Sequence, residues 1–409
     1  MRTPLASHIL WLDSQQSEME ERLKHWCSIQ SGSFYRDGLT AMQEAYVDYA
    51  ENCLGVKAEI LPAEDFYQLN DAGEKVQRPL GNIVRLRKRE DANKRVLLCG
   101  HMDTVFPAGD SFTSWEMIDE DTIRGPGVAD MKGGLLVMIK ALQAFDRSPL
   151  AQALGWEVLI NADEEIGSPG SRAILHEAAS RHHVGMVFEP AMADGSLAGG
   201  RKGSGNFSLL VRGKSAHAGR EFHLGKNAIA ALSMLMNQLH KLNNEDGDIT
   251  LNLGRITGGG PVNVVPDLAI CHFNIRVSTD SEQHFAEQWV KDALACLPDP
   301  EGYEIELSGG FSRPPKPVTA EQQYLFSLLA ECGEALNLST RFVNTGGCCD
   351  GNNLFKAGLP NIDTLGVRGG NIHSHQEYMM LSSLAERAKL SALFLDALAA
   401  GELPVKQGN

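Results

Sequence analysis

Residues able to bind a hard cation follow the ends of short apolar runs in this chain. RVLLCG runs into His101-Met102-Asp103, WEVLINA into Asp163-Glu164-Glu165, and VGMVF into Glu189. A fourth acid, Asp130, lies in GPGVADMKGG just ahead of an apolar helical stretch. If the runs are neighbouring strands, six carboxylates and a histidine share one sheet edge, where open parallel sheets place their functional groups. Acids gathered at a partly desolvated edge repel one another unless a cation neutralises them. Oxygen and imidazole donors suit Zn²⁺, Mn²⁺ or Co²⁺, and a set this acidic suits two ions sharing one carboxylate. RGGNIHSHQEYMML supplies a further imidazole beyond another apolar run, NIDTLGV. Spacing leaves His373 and His375 equally eligible.

The elements that would position these groups read as α/β. Helices are expected over 14–30 and 39–55, then strands over 57–61, 81–87 and 95–100. A turn-rich stretch (106–129) precedes a helix over 132–145, where apolar residues recur on a helical period. WEVLINA, a helix near 170–181 and VGMVFEP continue the alternation of a mostly parallel sheet covered on both faces. From residue 203 the order changes to β-α-β-β-α-β, the ferredoxin-like sandwich. The three prolines of FSRPPKPV (311–318) read as the linker out of it. A helix (319–336), the strands TRFVN and NIDTLGV and a closing helix (380–399) return to α/β. The expectation is a discontinuous catalytic domain, 1–202 plus 314–409, with an inserted domain at 203–313.

Composition narrows the function classes. The chain has 409 residues, 43% hydrophobic and 22% charged, a soluble globular balance long enough for two or three domains. Thirty-seven basic residues against 52 acidic give a net charge of −15, which disfavours nucleic acid and anionic membrane as partners. The eight cysteines form no CxxC pair, and MRTPLASHILWLD lacks the pattern of a secretory signal, so a cytoplasmic address is expected. GKS at 213–215 is no phosphate loop, because Ser208 stands where its first glycine belongs. HEAAS at 176–180 has Ser180 in place of the second histidine of a single-zinc protease helix.

LLCGHMDTVFP, GPGVADMKGG, NADEEIGSPGS, FEP, GKSAHAG, VNVVPD and HSHQEYM occur in the order and at about the spacing of one family. Together they make the chain resemble the dinuclear zinc exopeptidases and deacylases, which include glutamate carboxypeptidase, acetylornithine deacetylase, succinyl-diaminopimelate desuccinylase and aminoacylase. The resemblance implies two Zn²⁺ per subunit, with Co²⁺ or Mn²⁺ as substitutes. It assigns His101, Asp130 and Glu189 to one ion and Glu165 and His373 to the other, Asp130 bridging. The pattern H-S-x-x-E selects His373 over His375. Glu164 matches the general base and Asp103 the residue that orients His101. His217 matches a histidine that stabilises the oxyanion in the partner subunit's site. Asn263 and Arg276 match residues that hold the substrate carboxylate, a task suited to the planar guanidinium fork. A homodimer formed through the inserted domain is implied as well. The expected activity is amide hydrolysis at a peptide C-terminus or in an N-acyl amino acid. A non-catalytic binder on the same scaffold would not need Glu164, and a dinuclear phosphoesterase would not need Arg276. Cys348–Cys349 stands in a Gly-rich stretch whose matching acid is Asp350.

Overall fold

The run that ends at His101 is the strand Lys94–His101 of the computed structural model, which describes residues 5–243 and 248–404. Val96, Leu97, Leu98 and Cys99 are all fully buried, because helices cover both faces. The sheet has six strands in the order Glu59–Leu61, Ile83–Lys88, Leu154–Asn161, Lys94–His101, Val184–Val187, Asn361–Ile362. The last four run parallel, and the first two are antiparallel additions at one edge. Register pairs His101 with Asn161 and Cys99 with Val187. Asp103, the 163–165 acids and Glu189 therefore leave the sheet side by side.

The helix Gly134–Phe145 is buried on almost every side, wedged between the sheet and the helices Arg36–Leu54 and Ser383–Ala400. Its first residue touches the strand end that delivers Glu189. A Cβ on Gly134 would overlap the Phe188 carbonyl, so glycine permits this approach.

Between 203 and 313 the strands Gly203–Arg212, Thr250–Gly258, Leu268–Val277 and Glu304–Arg313 form a separate antiparallel sheet. Helices Ala228–His240 and Asp280–Leu294 pack on one face, with Leu235 of the first against Leu209, Val211, Phe273 and Ile275 of the sheet. Asn227 and Thr279 cap them, accepting from the backbone N–H of Ala230 and Glu282. The spatial order, Thr250–, Leu268–, Gly203–, Glu304–, is that of a ferredoxin-like sandwich.

Several elements differ from the sequence expectation. The N-terminal helix begins earlier, with turns from Ser7, and its main segment ends at Cys27. NIDTLGV pairs only through Asn361–Ile362. The segment 311–313 is strand and not linker: Arg313 pairs with Ser204, and the irregular chain starts at Pro314. Residues 106–129 contain the short strands Glu116–Met117 and Thr122–Arg124. These join Tyr378–Met380, Arg368–Gly370 and Ala191–Met192 in a small second sheet. Strands of two or three residues carry no readable alternation. Among the described residues, no helix is long and apolar enough to cross a membrane.

Candidate active site

Asp130 stands at the centre of the site. Its Oδ1 lies 3.1 Å from Nε2 of His101, and its Oδ2 lies 3.2 Å from Nε2 of His373. Nε2 of His373 is also 3.1 Å from Oε2 of Glu165, and Nε2 of His101 is 3.9 Å from Oε1 of Glu189. His101, Asp130 and Glu165 offer ligand atoms within 4.8 Å of one another, as do His101, Glu164 and Glu189. The five residues assigned as ligands thus meet at one place: His101 is common to both groups, and the Asp130 carboxylate lies between His101 and His373. Donors ~2.0–2.2 Å from a shared tetrahedral cation lie roughly 3.4 Å apart, close to these separations. Oε1 of Glu189 is buried without a hydrogen-bond partner among the described residues, a cost that a cation would remove.

The charges are strained as they stand. Burial, then the neighbouring Asp130, pushes Glu165 up to about 7, and burial also raises Glu189. Burial opposes ionisation of Asp130 too, but hydrogen bonds with His101 and His373 hold it below the usual carboxylate range. Hydrogen bonds to Asp130 and Glu165 raise His373 to about 11. For His101, burial favours the neutral ring, and contacts with Asp103, Asp130 and Glu189 outweigh it. The acids are sharing imidazole protons, the role a divalent cation takes over when it binds.

A second layer fixes these groups. Nδ1 of His101 is 3.0 Å from the Asp103 carbonyl oxygen, while the Asp103 carboxylate accepts from the backbone N–H groups of Glu164 and Glu165, both at 3.2 Å, and from Ser33 Oγ at 2.7 Å. One acid thereby ties the histidine loop to the glutamate pair. Asp163 turns aside, accepting from Gly170 N and Ser171 Oγ ahead of the helix Arg172–Arg181. Glu377 accepts from the backbone N–H groups of Gly127, Ala129 and Asp130 at 2.9–3.0 Å, and so holds the loop that carries Asp130. Arg313, fully enclosed, donates to Glu164 Oε1 at 2.7 Å and to Asp350 Oδ1 at 2.6 Å. Sequence reading missed the roles of Glu377 and Arg313. Glu377 belonged to the quoted H-S-x-x-E pattern without a function, and prolines disguised Arg313 as part of a linker.

The remaining residues divide. His375 faces Asp110 at 3.0 Å and stacks on Phe112, so it forms a wall and does not join the cluster. Arg276 donates to Asn274 and to Sγ of Cys348 at 3.3 Å, which turns it toward the loop before Asp350. Cys349 is buried and its sulfur caps the helix Asp350–Lys356. His217 and Asn263 are exposed neighbours on the inserted domain, where Ala218 N donates to the Asn263 carbonyl. Among the described residues, neither makes a hydrogen bond or ion pair with the cluster.

A model of the family described as "Peptidase family M20/M25/M40" matches residues 97–397. Carboxypeptidase G2 of Pseudomonas sp. is 28% identical over 315 residues, 76% of this chain and 75% of that protein. A succinyl-diaminopimelate desuccinylase of Bordetella petrii is 28% identical over 329 residues, 74% of this chain and 83% of that one. In fold, an M20 family metallo-carboxypeptidase of Sulfolobus solfataricus superposes with a TM-score of 0.73 at 16% identity, over 93% of this chain and 99% of that one.

Proposed function

The chain belongs to peptidase family M20/M25/M40, whose members are metal-dependent hydrolases, and on that premise we propose that it cleaves the amide bond of a peptide C-terminus or an N-acyl amino acid at a pair of zinc ions. The observation that carries the reading is the two-sided Asp130 carboxylate, one oxygen beside His101 and the other beside His373. His101, Asp130 and Glu189 would hold one ion, and Glu165, His373 and the same Asp130 the other. Bound there, two dications would supply the Lewis acidity that activates water and polarises a carbonyl.

Glu164 is the general base of this reading. Its carboxylate is grouped with His101 and Glu189, and Arg313 fixes one of its oxygens. It takes the proton of the attacking water and returns it to the leaving nitrogen. Arg276 receives the carboxylate of the released amino acid, its fork suiting two parallel hydrogen bonds. His217 and Asn263 act from a second copy of the chain, His217 on the oxyanion and Asn263 on the substrate. Their exposure, side by side and unattached to their own cluster, supports a homodimer built on the inserted domain. Eight free cysteines accord with a reducing cytoplasm.

The test is a screen of N-acyl amino acids and dipeptides with zinc, cobalt or manganese, reading free amine. Chelation should abolish release, and metal add-back should restore it. No amine with any metal, despite two bound ions, would overturn the assignment in favour of a binding protein.

A further inference from the structure

Beside Glu165 the cleft between the two domains widens into a cavity of about 1380 Å³. A drug-sized ligand fills roughly 300–1,000 Å³. The floor is the helix-free face of the inserted sheet, with Asn206, Ser208, His272, Asn274 and Ser308 along it. The roof is a hairpin of the catalytic domain, Phe66–Leu69 paired with Lys75–Arg78. Three cross-links strap this hairpin to the inserted domain: Asp71 with Arg255 at 2.7 Å, Lys75 with Glu306 at 2.7 Å, and the Gly73 carbonyl accepting from Arg212 at 2.7 Å.

The lining holds an excess of donors. Nε of Arg78, Nε of Arg172 and Nε2 of His272 are buried without a hydrogen-bond partner among the described residues. His272 Nδ1 lies 2.8 Å from Ser208 Oγ, and burial followed by nearby Arg255 lowers its pKa. With Ser208 donating to Nδ1, the neutral ring carries its hydrogen on Nε2. Arg78 rests 4.4 Å over the Phe34 ring, which is stacked on Phe66, and among the described residues neither Arg78 nor Arg172 has an ion-pair partner. Buried donors of this kind cost free energy until acceptors arrive, and a guanidinium favours a negative one. Arg172 already donates to the Gly167 carbonyl at 3.3 Å and lies near Asp350, Asp163 and Glu64, which leaves Arg78 the less compensated of the two.

We propose that this chamber seats the acyl half of the substrate, and that this half is a peptidyl group of dipeptide size or more bearing a carboxylate. The proposal rests on the amide-hydrolase reading above and narrows it. An acetyl group would leave all three donors unpaired and most of the space empty. A longer acidic chain brings backbone carbonyls to the His272 side of the floor and its carboxylate to the arginines.

The experiment compares substrates that share one released amino acid and differ in acyl group: acetyl, succinyl and acetyl-aspartyl-alanyl. The kcat/KM should rise in that order, by about tenfold or more from first to last. Arg78→Met and His272→Phe should each lower it about tenfold for the peptidyl substrate, and leave the acetyl substrate within about twofold. In parallel, calorimetry with zinc-loaded protein should show acetyl-aspartyl-alanine, the free acid, binding about tenfold more weakly to Arg78→Met than to wild type. An acetyl substrate as good as the peptidyl one, or equal losses on all three, would overturn the proposal while leaving amide hydrolysis intact. If no amide is cleaved, the hydrolase reading fails separately, and unchanged binding to Arg78→Met would reject the chamber on its own.

Discussion

Arg313 closes the last strand of the inserted domain and holds Glu164, in the catalytic domain, through a 2.7 Å contact from Nη2 to Oε1. The same guanidinium donates to the Glu164 carbonyl at 3.0 Å and to Ser168 Oγ at 2.9 Å. Asp350, which anchors its other arm, is itself held by Asn161 and Ser168 at 2.6 Å. Glu164, the base of the proposed mechanism, is thus oriented by the last strand of the inserted domain.

Arg313→Lys keeps a charge and loses the fork. Misplacing a reacting group by ~1 Å costs on the order of 10²-fold, so kcat should fall by about that factor while KM changes little. Placed in a Glu164→Gln background, the same substitution should add no further loss, because its effect runs through the carboxylate already removed. An equal additional loss in the double variant would mean that Arg313 merely supports the fold.

Glu164→Gln itself removes the proposed proton acceptor and none of the five proposed metal ligands. Turnover should drop about 10²–10⁴-fold, the usual contribution of a general base. Metal content, measured by elemental analysis, should remain at two ions per chain. Loss of metal alongside activity would assign Glu164 to coordination instead.

Metal stoichiometry should follow the geometry around Asp130. His373→Ala removes a ligand from one side only and should leave one tightly held ion. Asp130→Asn weakens both sides and should leave neither at full affinity. A ligand at about 100 times its Kd stabilises a folded chain by about 2.7 kcal/mol, so zinc should raise the wild-type melting temperature and raise that of Asp130→Asn far less.

A mixing experiment tests the shared site. His217→Ala and Glu164→Gln should each be nearly inactive alone. If His217 acts across a dimer, mixed dimers regain one working site, and equal mixtures after subunit exchange should recover roughly a quarter of wild-type activity. No recovery would place His217 in its own subunit's site or outside catalysis.

What the sequence made legible were the ends of buried strands. A run such as RVLLCG, bounded by charge, declares both its burial and the point where its chain turns to solvent, so His101, Asp103 and the 163–165 acids could be placed from one dimension. His373 and His375 could not be separated by spacing, because both follow the same loop and are similarly exposed; only Asp110 and Phe112 show why one is diverted. Arg313 and Glu377 were illegible for a different reason. Each acts on residues far away in the chain, Glu377 on the 127–130 loop and Arg313 on Glu164, and no local pattern records such a contact.

The junction between the domains makes an acid-stability prediction. Arg201 and Lys316, on the two crossing segments, bond to each other's backbones at 2.9 and 3.0 Å. Both side chains converge on buried Asp363, Arg201 through two contacts at 2.8 Å and Lys316 through one at 2.7 Å. Burial alone would raise the Asp363 pKa, but the two cations outweigh it and hold it at about 2. A carboxylate depressed in the folded state stabilises fully above its unfolded pKa of about 3.9 and loses that contribution as pH falls through its folded value. The window is therefore about pH 4 down to 2, and the loss is about 2–3 kcal/mol. Asp363→Asn leaves two buried cations unpaired and should cost about 3–5 kcal/mol at neutral pH. Its stability should then be flatter across the acid window than that of wild type. Urea unfolding of metal-free protein at pH 5, 4, 3 and 2.5 measures the slope, and parallel curves for the two proteins would show that Asp363 does not titrate as the junction requires.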